Sequence, residues 1–184
     1  SFVETRTGAL GMSYIGADGF IGVSASRYDN RYGNPGEPGD PSAGEAGVSL
    51  DMLQNRFELK AGINRDLWIF DGLRGSFAST SYEHTEFEGA EVGTFFTNEA
   101  DEGRLELTHR AFGNWTGAIG FQASDRAFEA IGEEAFVPRT KTRAQRLFWM
   151  EHGQWDSLQV DLGARADRVR SDAAGQPRRS FTPL

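Results

Sequence analysis

Hydrophobic and polar residues alternate one for one along most of this chain. The run Phe57-Glu58-Leu59-Lys60-Ala61-Gly62-Ile63 puts Phe57, Leu59, Ala61 and Ile63 on one side, with Arg56, Glu58 and Lys60 on the other. Arg104-Leu105-Glu106-Leu107-Thr108 repeats the pattern, and so does the stretch from Leu158 to Asp167. A period of two specifies β-strand, because successive side chains leave opposite faces of the pleat. One face carries full charges and the other is nearly free of them. A soluble sandwich fits that contrast, and so does a membrane barrel with lipid outside and a wet lumen inside.

The breaks between runs favour the barrel. Strands are expected at roughly Glu4–Ile15, Phe20–Asp29, Gly47–Ile63, Leu73–His84, Glu102–Ala111, Thr116–Glu129, Arg143–His152 and Leu158–Val169. Short breaks fall at Gly16–Gly19, Asn64–Gly72, Gly113–Trp115 and Gly153–Asp156. Long polar excursions are expected at Asn30–Ala46, Thr85–Asp101 and Ala130–Thr142, and Ser171–Arg178 reads as a further polar loop. The short breaks all fall at one end of an up-and-down meander, which is the layout of an outer-membrane barrel. Aromatic residues follow the same plan. Trp68, Phe70, Trp115 and Trp155 gather at the short-turn end, and Tyr28, Tyr32 and Tyr82 lie near the other, as interfacial girdles would. The expected fold is therefore all-β: an antiparallel up-and-down transmembrane β-barrel, here a partial barrel of about eight or nine strands.

Composition narrows function more than fold. Mean hydropathy is −0.51, and no stretch approaches the roughly 20 apolar residues of a membrane helix. Barrel strands escape that test, since only every second residue faces lipid. Cysteine is absent, which removes disulfides and thiolate chemistry. The net charge of −8 argues against nucleic acid as a partner. No GxSxG, HExxH, P-loop or dinucleotide motif occurs, and the adjacent pair Glu133-Glu134 does not set a glycosidase separation. The chain reads as neither an enzyme nor the holder of a cofactor.

Several segments resemble the barrel part of TonB-dependent outer-membrane receptors, in the subgroup that includes zinc-uptake receptors and receptors for iron complexes. They are Tyr28-Asp29-Asn30-Arg31-Tyr32-Gly33-Asn34-Pro35-Gly36, Tyr82-Glu83-His84-Thr85-Glu86-Phe87-Glu88-Gly89, Thr97-Asn98, the run from Glu102 to His109, the run from Phe128 to Pro138, and the run from Arg179 to Leu184. The resemblance runs over nearly the whole of residues 1–184 and implies one segment of a receptor barrel of about 22 strands. It implies import of a metal ion or metal chelate of the zinc or iron-siderophore type, with outer-membrane lipid around the wall. It also implies coupling to the TonB complex through a plug that this sequence does not contain. The chain thus reads as a fragment. A small outer-membrane binding or structural barrel is the alternative, with a soluble β-sandwich binding module behind it.

Candidate ligand-binding chemistry lies in the expected excursions. Glu83, Glu86, Glu88, Glu91, Glu99, Asp101 and Glu102 crowd the second, Glu37, Asp40 and Glu45 the first, and Glu133 and Glu134 the third. A field of one sign concentrates cations. Within it His84, with Glu86 and Glu88, is the candidate metal-capture group, because zinc accepts imidazole nitrogen and carboxylate oxygen. His109 and His152 sit at the short-turn end, away from an arriving ligand. The charges Arg56, Glu58, Lys60, Arg104, Glu106, Arg110, Arg126, Asp161, Arg165 and Asp167 are expected on the lumen wall, hydrating it or pairing across strands and against a plug.

Overall fold

A computed structural model describes residues 2–34, 47–132, 135 and 137–182. These form nine strands: β1 Val3–Ile15, β2 Gly19–Gly33, β3 Val48–Leu67, β4 Phe70–Glu88, β5 Glu91–Phe112, β6 Trp115–Gly132, β7 Thr140–Trp155, β8 Leu158–Ala173 and β9 Arg179–Phe181. They make one sheet in chain order, every neighbour antiparallel. Among the described residues the sheet does not close on itself. A single meander also removes the sandwich alternative, which needs a second packed sheet.

Register keeps the two faces separate across all the long strands. Val23, Leu59, Phe77, Leu105, Phe121, Leu147 and their row neighbours share the apolar face, whereas Arg56, Glu58, Lys60, Arg104, Glu106, Gln122, Arg146 and Asp167 share the other. The exposure is the reverse of a soluble protein. Leu105 is 56% exposed and Leu147 52%, while the side chains of Glu106 and Asp167 are 17% and 20% exposed. Among the described apolar residues only Ala118 and Ala144 are buried. Such a sheet has no interior core, so its apolar face requires an apolar medium.

The height of that face matches a bilayer. On β6 it runs from Trp115, which stacks edge-on against Trp155 at 5.2 Å, up to Asp125. Ten residues of strand rise about 33 Å, and a tilt of about 40° brings that to about 25 Å. The upper limit is the register row Ser79, Asp101, Asp125, Arg143 and Arg170, where the apolar face turns polar.

The short breaks are where the spacing predicts, all at one end of the meander. Backbone bonds stitch neighbouring turns together: Asn64 N–H to Asp18 O, Arg110 N–H to Ile69 O and Gln154 N–H to Asn114 O. Three of the four turns have two residues, and the first adopts positive φ at Trp68, Gly113 and Asp156, which matches the twist of the flanking strands.

Three expectations are corrected. Thr85–Asp101 is not a long loop, because β4 and β5 continue as a ribbon to a tight turn at Gly89-Ala90. Above the bilayer both faces of a strand are wet, so hydrophobic alternation stops while hydrogen bonding does not. The strands likewise extend beyond their expected ends elsewhere, and residues 171–173 belong to β8. The tyrosines form no outer girdle either: Tyr28 and Tyr82 share a register row with Gln54 on the charged face, an odd number of residues from Phe57 and Phe77. Most of Asn30–Ala46 and part of Ala130–Thr142, with Glu37, Asp40, Glu45, Glu133 and Glu134, lie outside the described residues.

One close approach on the charged face gives a test. The Phe148 ring lies over Gly120, under the Arg104 guanidinium 4.2 Å from its centroid. A Cβ on Gly120 would sit 2.1 Å from Phe148 Cζ and 2.7 Å from the Leu105 carbonyl oxygen, which cannot move aside. Gly120→Val should therefore cost about 1–3 kcal/mol in refolding midpoint. Phe148→Ala in the same chain should recover part of that loss.

Candidate functional site

The richest cluster stands on the charged face above the bilayer zone, where β4, β5 and β6 extend together. Alternation brings Tyr82 and His84 of β4 to that face, and register sets His84 opposite Phe96 and Tyr82 opposite Asn98. Asn98 in turn faces Phe128 of β6. The His84 ring stacks on Phe96 at 4.3 Å and 25°, and Tyr82 meets it edge-on at 5.6 Å. Phe96 meets Phe128 at 6.3 Å. The result is a shelf of four rings across three strands.

Its electrostatics follow from that packing. The Tyr82 hydroxyl and His84 Nδ1 are 3.0 Å apart, and Nε2 is 3.8 Å from Glu86 Oε1. Burial holds the imidazole below the ordinary histidine value, so the ring is neutral at pH 7 and Nδ1 can accept from the hydroxyl. Nε2 then carries the proton on the side of Glu86. Nδ1 is therefore engaged by Tyr82, whereas Nε2 lies beyond hydrogen-bond distance of Glu86. Asn98 Oδ1 is buried with no hydrogen-bond donor among the described residues. One row below the shelf, Arg56 is bound to Glu58 and Thr80, while Arg126 is exposed and has no ion pair among the described residues.

Of the proposed capture group, the fold brings His84 and Glu86 together, while Glu88 sits at the turn opposite Glu91. No three His, Asp or Glu side chains converge in a metal-holding group among the described residues. The acidic field is also divided by strand geometry. Glu83, Glu99 and Asp101 take the register rows of the apolar face, whereas Glu86 and Glu102 take the charged face. Phe96, Asn98 and Phe128 were missed by sequence reasoning, because their stretches read as loop or as unmarked strand. The signal available was the pair Phe95-Phe96 inside an otherwise acidic stretch.

The wall charges fall on the face expected of them and pair locally. Arg56–Glu58 is 2.7 Å, Arg104–Glu106 2.6 Å, Arg110–Asp66 2.9 Å and Arg165–Asp167 2.7 Å. His152 bonds Asp161 at 2.7 Å on the same face near the short turns. His109 is on the apolar face at that end, bound to Glu151, which also accepts from Trp149. Neither lies near the shelf.

No family model matches the sequence. Two solved structures are similar in fold. The alcaligin outer-membrane receptor FauA from Bordetella pertussis aligns with a TM-score of 0.64 at 14% identity, over 99% of this chain and 31% of that one. BauA, the ferric preacinetobactin receptor from Acinetobacter baumannii, aligns at 0.62 and 10% identity, over 98% of this chain and 36% of that one. The chain thus spans about a third of the length of each. Together with the exposed apolar face, the match gives the chain the fold of part of a β-barrel wall, the fold that the sequence resemblance implies.

Proposed function

We propose that this chain supplies part of the wall and external vestibule of a TonB-dependent receptor that imports a metal chelate. The observation carrying the proposal is the four-ring shelf on the lumen face, raised above the bilayer where an arriving ligand is met. Stacked rings offer a flat apolar surface, the unpartnered Asn98 oxygen offers an acceptor, and Arg126 offers positive charge beneath. That combination suits an organic chelate carrying hydrogen-bond donors and anionic groups. It suits a bare zinc ion less well, since His84 Nδ1 is engaged by Tyr82 and no three His, Asp or Glu side chains converge among the described residues. The two similar solved structures are receptors for alcaligin and for ferric preacinetobactin, which supports an iron chelate over free zinc. Energy from TonB would reach this wall through a plug seated against the lumen charges.

The test compares two double variants of the full-length protein in detergent. His84→Ala with Phe96→Ala should weaken binding of ferric chelates about tenfold, the loss of two stacked contacts. His109→Ala with His152→Ala should leave it unchanged. Adding Glu86→Ala and Glu88→Ala should not weaken the binding of an anionic chelate further, whereas direct coordination of zinc would give a sharp loss that salt hardly alters. Ferric-chelate binding that survives loss of the shelf overturns the proposal.

A further inference from the structure

A second charged feature lies on the opposite, lipid-facing side. On β8 the outward residues Val160, Leu162, Ala164 and Ala166 are apolar, and the next two in that series are Arg168 and Arg170. On β7 the outward series rises through Trp149 and Leu147 to Gln145, Arg143 and Lys141. Register sets Arg143 directly opposite Arg170 and Gln145 opposite Arg168. Two like charges facing each other across an antiparallel pair repel, and Asp125 offsets this one from the Arg143 side alone. Arg143 and Lys141 share Asp125, at 2.8 and 3.3 Å. Arg168 and Arg170 are exposed and have no carboxylate or hydrogen-bond partner among the described residues. At the same height β5 and β6 carry Asp101 and Asp125, so the positive charge is confined to one sector.

We propose that Arg143, Arg168 and Arg170 bind the phosphate of a lipid headgroup in the outer leaflet. The proposal rests on the outer-membrane reading above. The three guanidiniums occupy the row at which the apolar face ends and the row just below it, which is headgroup height. A phosphate there would neutralise the opposed pair and accept forked hydrogen bonds from planar donors. The apolar strip immediately beneath, Leu147 with Ala164 and Ala166, would carry the acyl chains of the same lipid. That continuity of apolar strip and cationic cap favours a lipid phosphate over a free anion.

The experiment uses the full-length protein in detergent micelles, with bisphosphorylated lipid A, its dephosphorylated form and inorganic phosphate as probes. The protein should bind bisphosphorylated lipid A, and Arg168→Gln with Arg170→Gln should weaken that binding about thirtyfold. A charge-matched control on the lumen face, Lys60→Gln with Arg126→Gln, should leave it unchanged. If the double variant does not fold, Arg168→Gln alone, which faces only Gln145, should give about a fivefold loss. Equal binding of the dephosphorylated lipid, equal loss in the lumen-face control, or full competition by inorganic phosphate at the concentration of the lipid would each overturn the proposal. Quenching of Trp149 fluorescence by brominated lipid, removed by Trp149→Phe, tests the bilayer reading separately. Quenching with no effect of the arginines rejects the phosphate site alone, and absence of quenching rejects the membrane reading itself.

Discussion

Replacing Phe121 by Arg should lower the stability of the refolded protein by about 2–4 kcal/mol. Phe121 lies between Leu105 and Leu147 in register, midway between Trp115 at the turn end and Asp125 at the upper limit of the apolar face. It is 43% exposed, so a longer side chain meets no steric obstacle there. The whole cost then comes from placing a guanidinium in hydrocarbon. Leu107→Arg, one row nearer the short turns beside Ile119, belongs to the same class. Glu106→Gln is the control, because it changes a charge on the other face at the same height. Its loss should stay below about 1 kcal/mol, the scale of a hydrated ion pair with Arg104. Urea titration of protein refolded into lipid vesicles measures all three. Equal losses for Phe121→Arg and Glu106→Gln would reverse the assignment of the faces.

The second large effect is expected at Gly132, the last residue of β6. Its φ is +139°, a conformation open to glycine and nearly closed to any residue with a Cβ. An added Cβ would sit 2.1 Å from the Gly93 carbonyl oxygen and 2.6 Å from Thr94 Cα, both backbone atoms. No rotamer relieves such a contact. Gly132→Val should therefore cost about 3 kcal/mol locally, releasing the Thr94–Gly132 end of the β5–β6 ladder. Thr94, 1% exposed, would become accessible. Phe96, opposite Ala130, and then Phe128, opposite Asn98, follow further in along the same ladder, so chelate binding should weaken along with hydrogen-exchange protection at Thr94–Phe96. Unchanged protection in the variant would mean that the ribbon tip tolerates the side chain, and that the shelf does not depend on it.

The two predictions draw on different kinds of information. That Phe121 lies on the apolar face was legible in the sequence, because alternation assigns a face wherever one side must be apolar. Gly132 was not legible, since nothing local distinguishes a glycine with positive φ from the others in the chain. The same division runs through the candidate site. His84 and its face could be read from its spacing to Tyr82 and Thr80. Its stacking partner could not, because Phe96 lies in a stretch whose two faces are both polar. A strand there shows no period of two, so the ribbon from Thr85 to Asp101 read as a loop. The tyrosines show the opposite fault: their position along the chain was right for an interface, and their parity placed them inside.

What the sequence determined by itself is the all-β class, the meander, the end at which the short turns gather, and the face of each residue within the bilayer. All of these follow from the two-residue repeat and from the length of each break, which are properties of contiguous chain. Register decided the rest. It set Arg143 against Arg170, aligned Tyr82 with Asn98 and Phe128, divided the acidic residues between two faces, and left Glu88 apart from His84. Register belongs to pairs of strands and is fixed by turn geometry and by the packing of whole rows, so it appears only once the strands are hydrogen-bonded side by side.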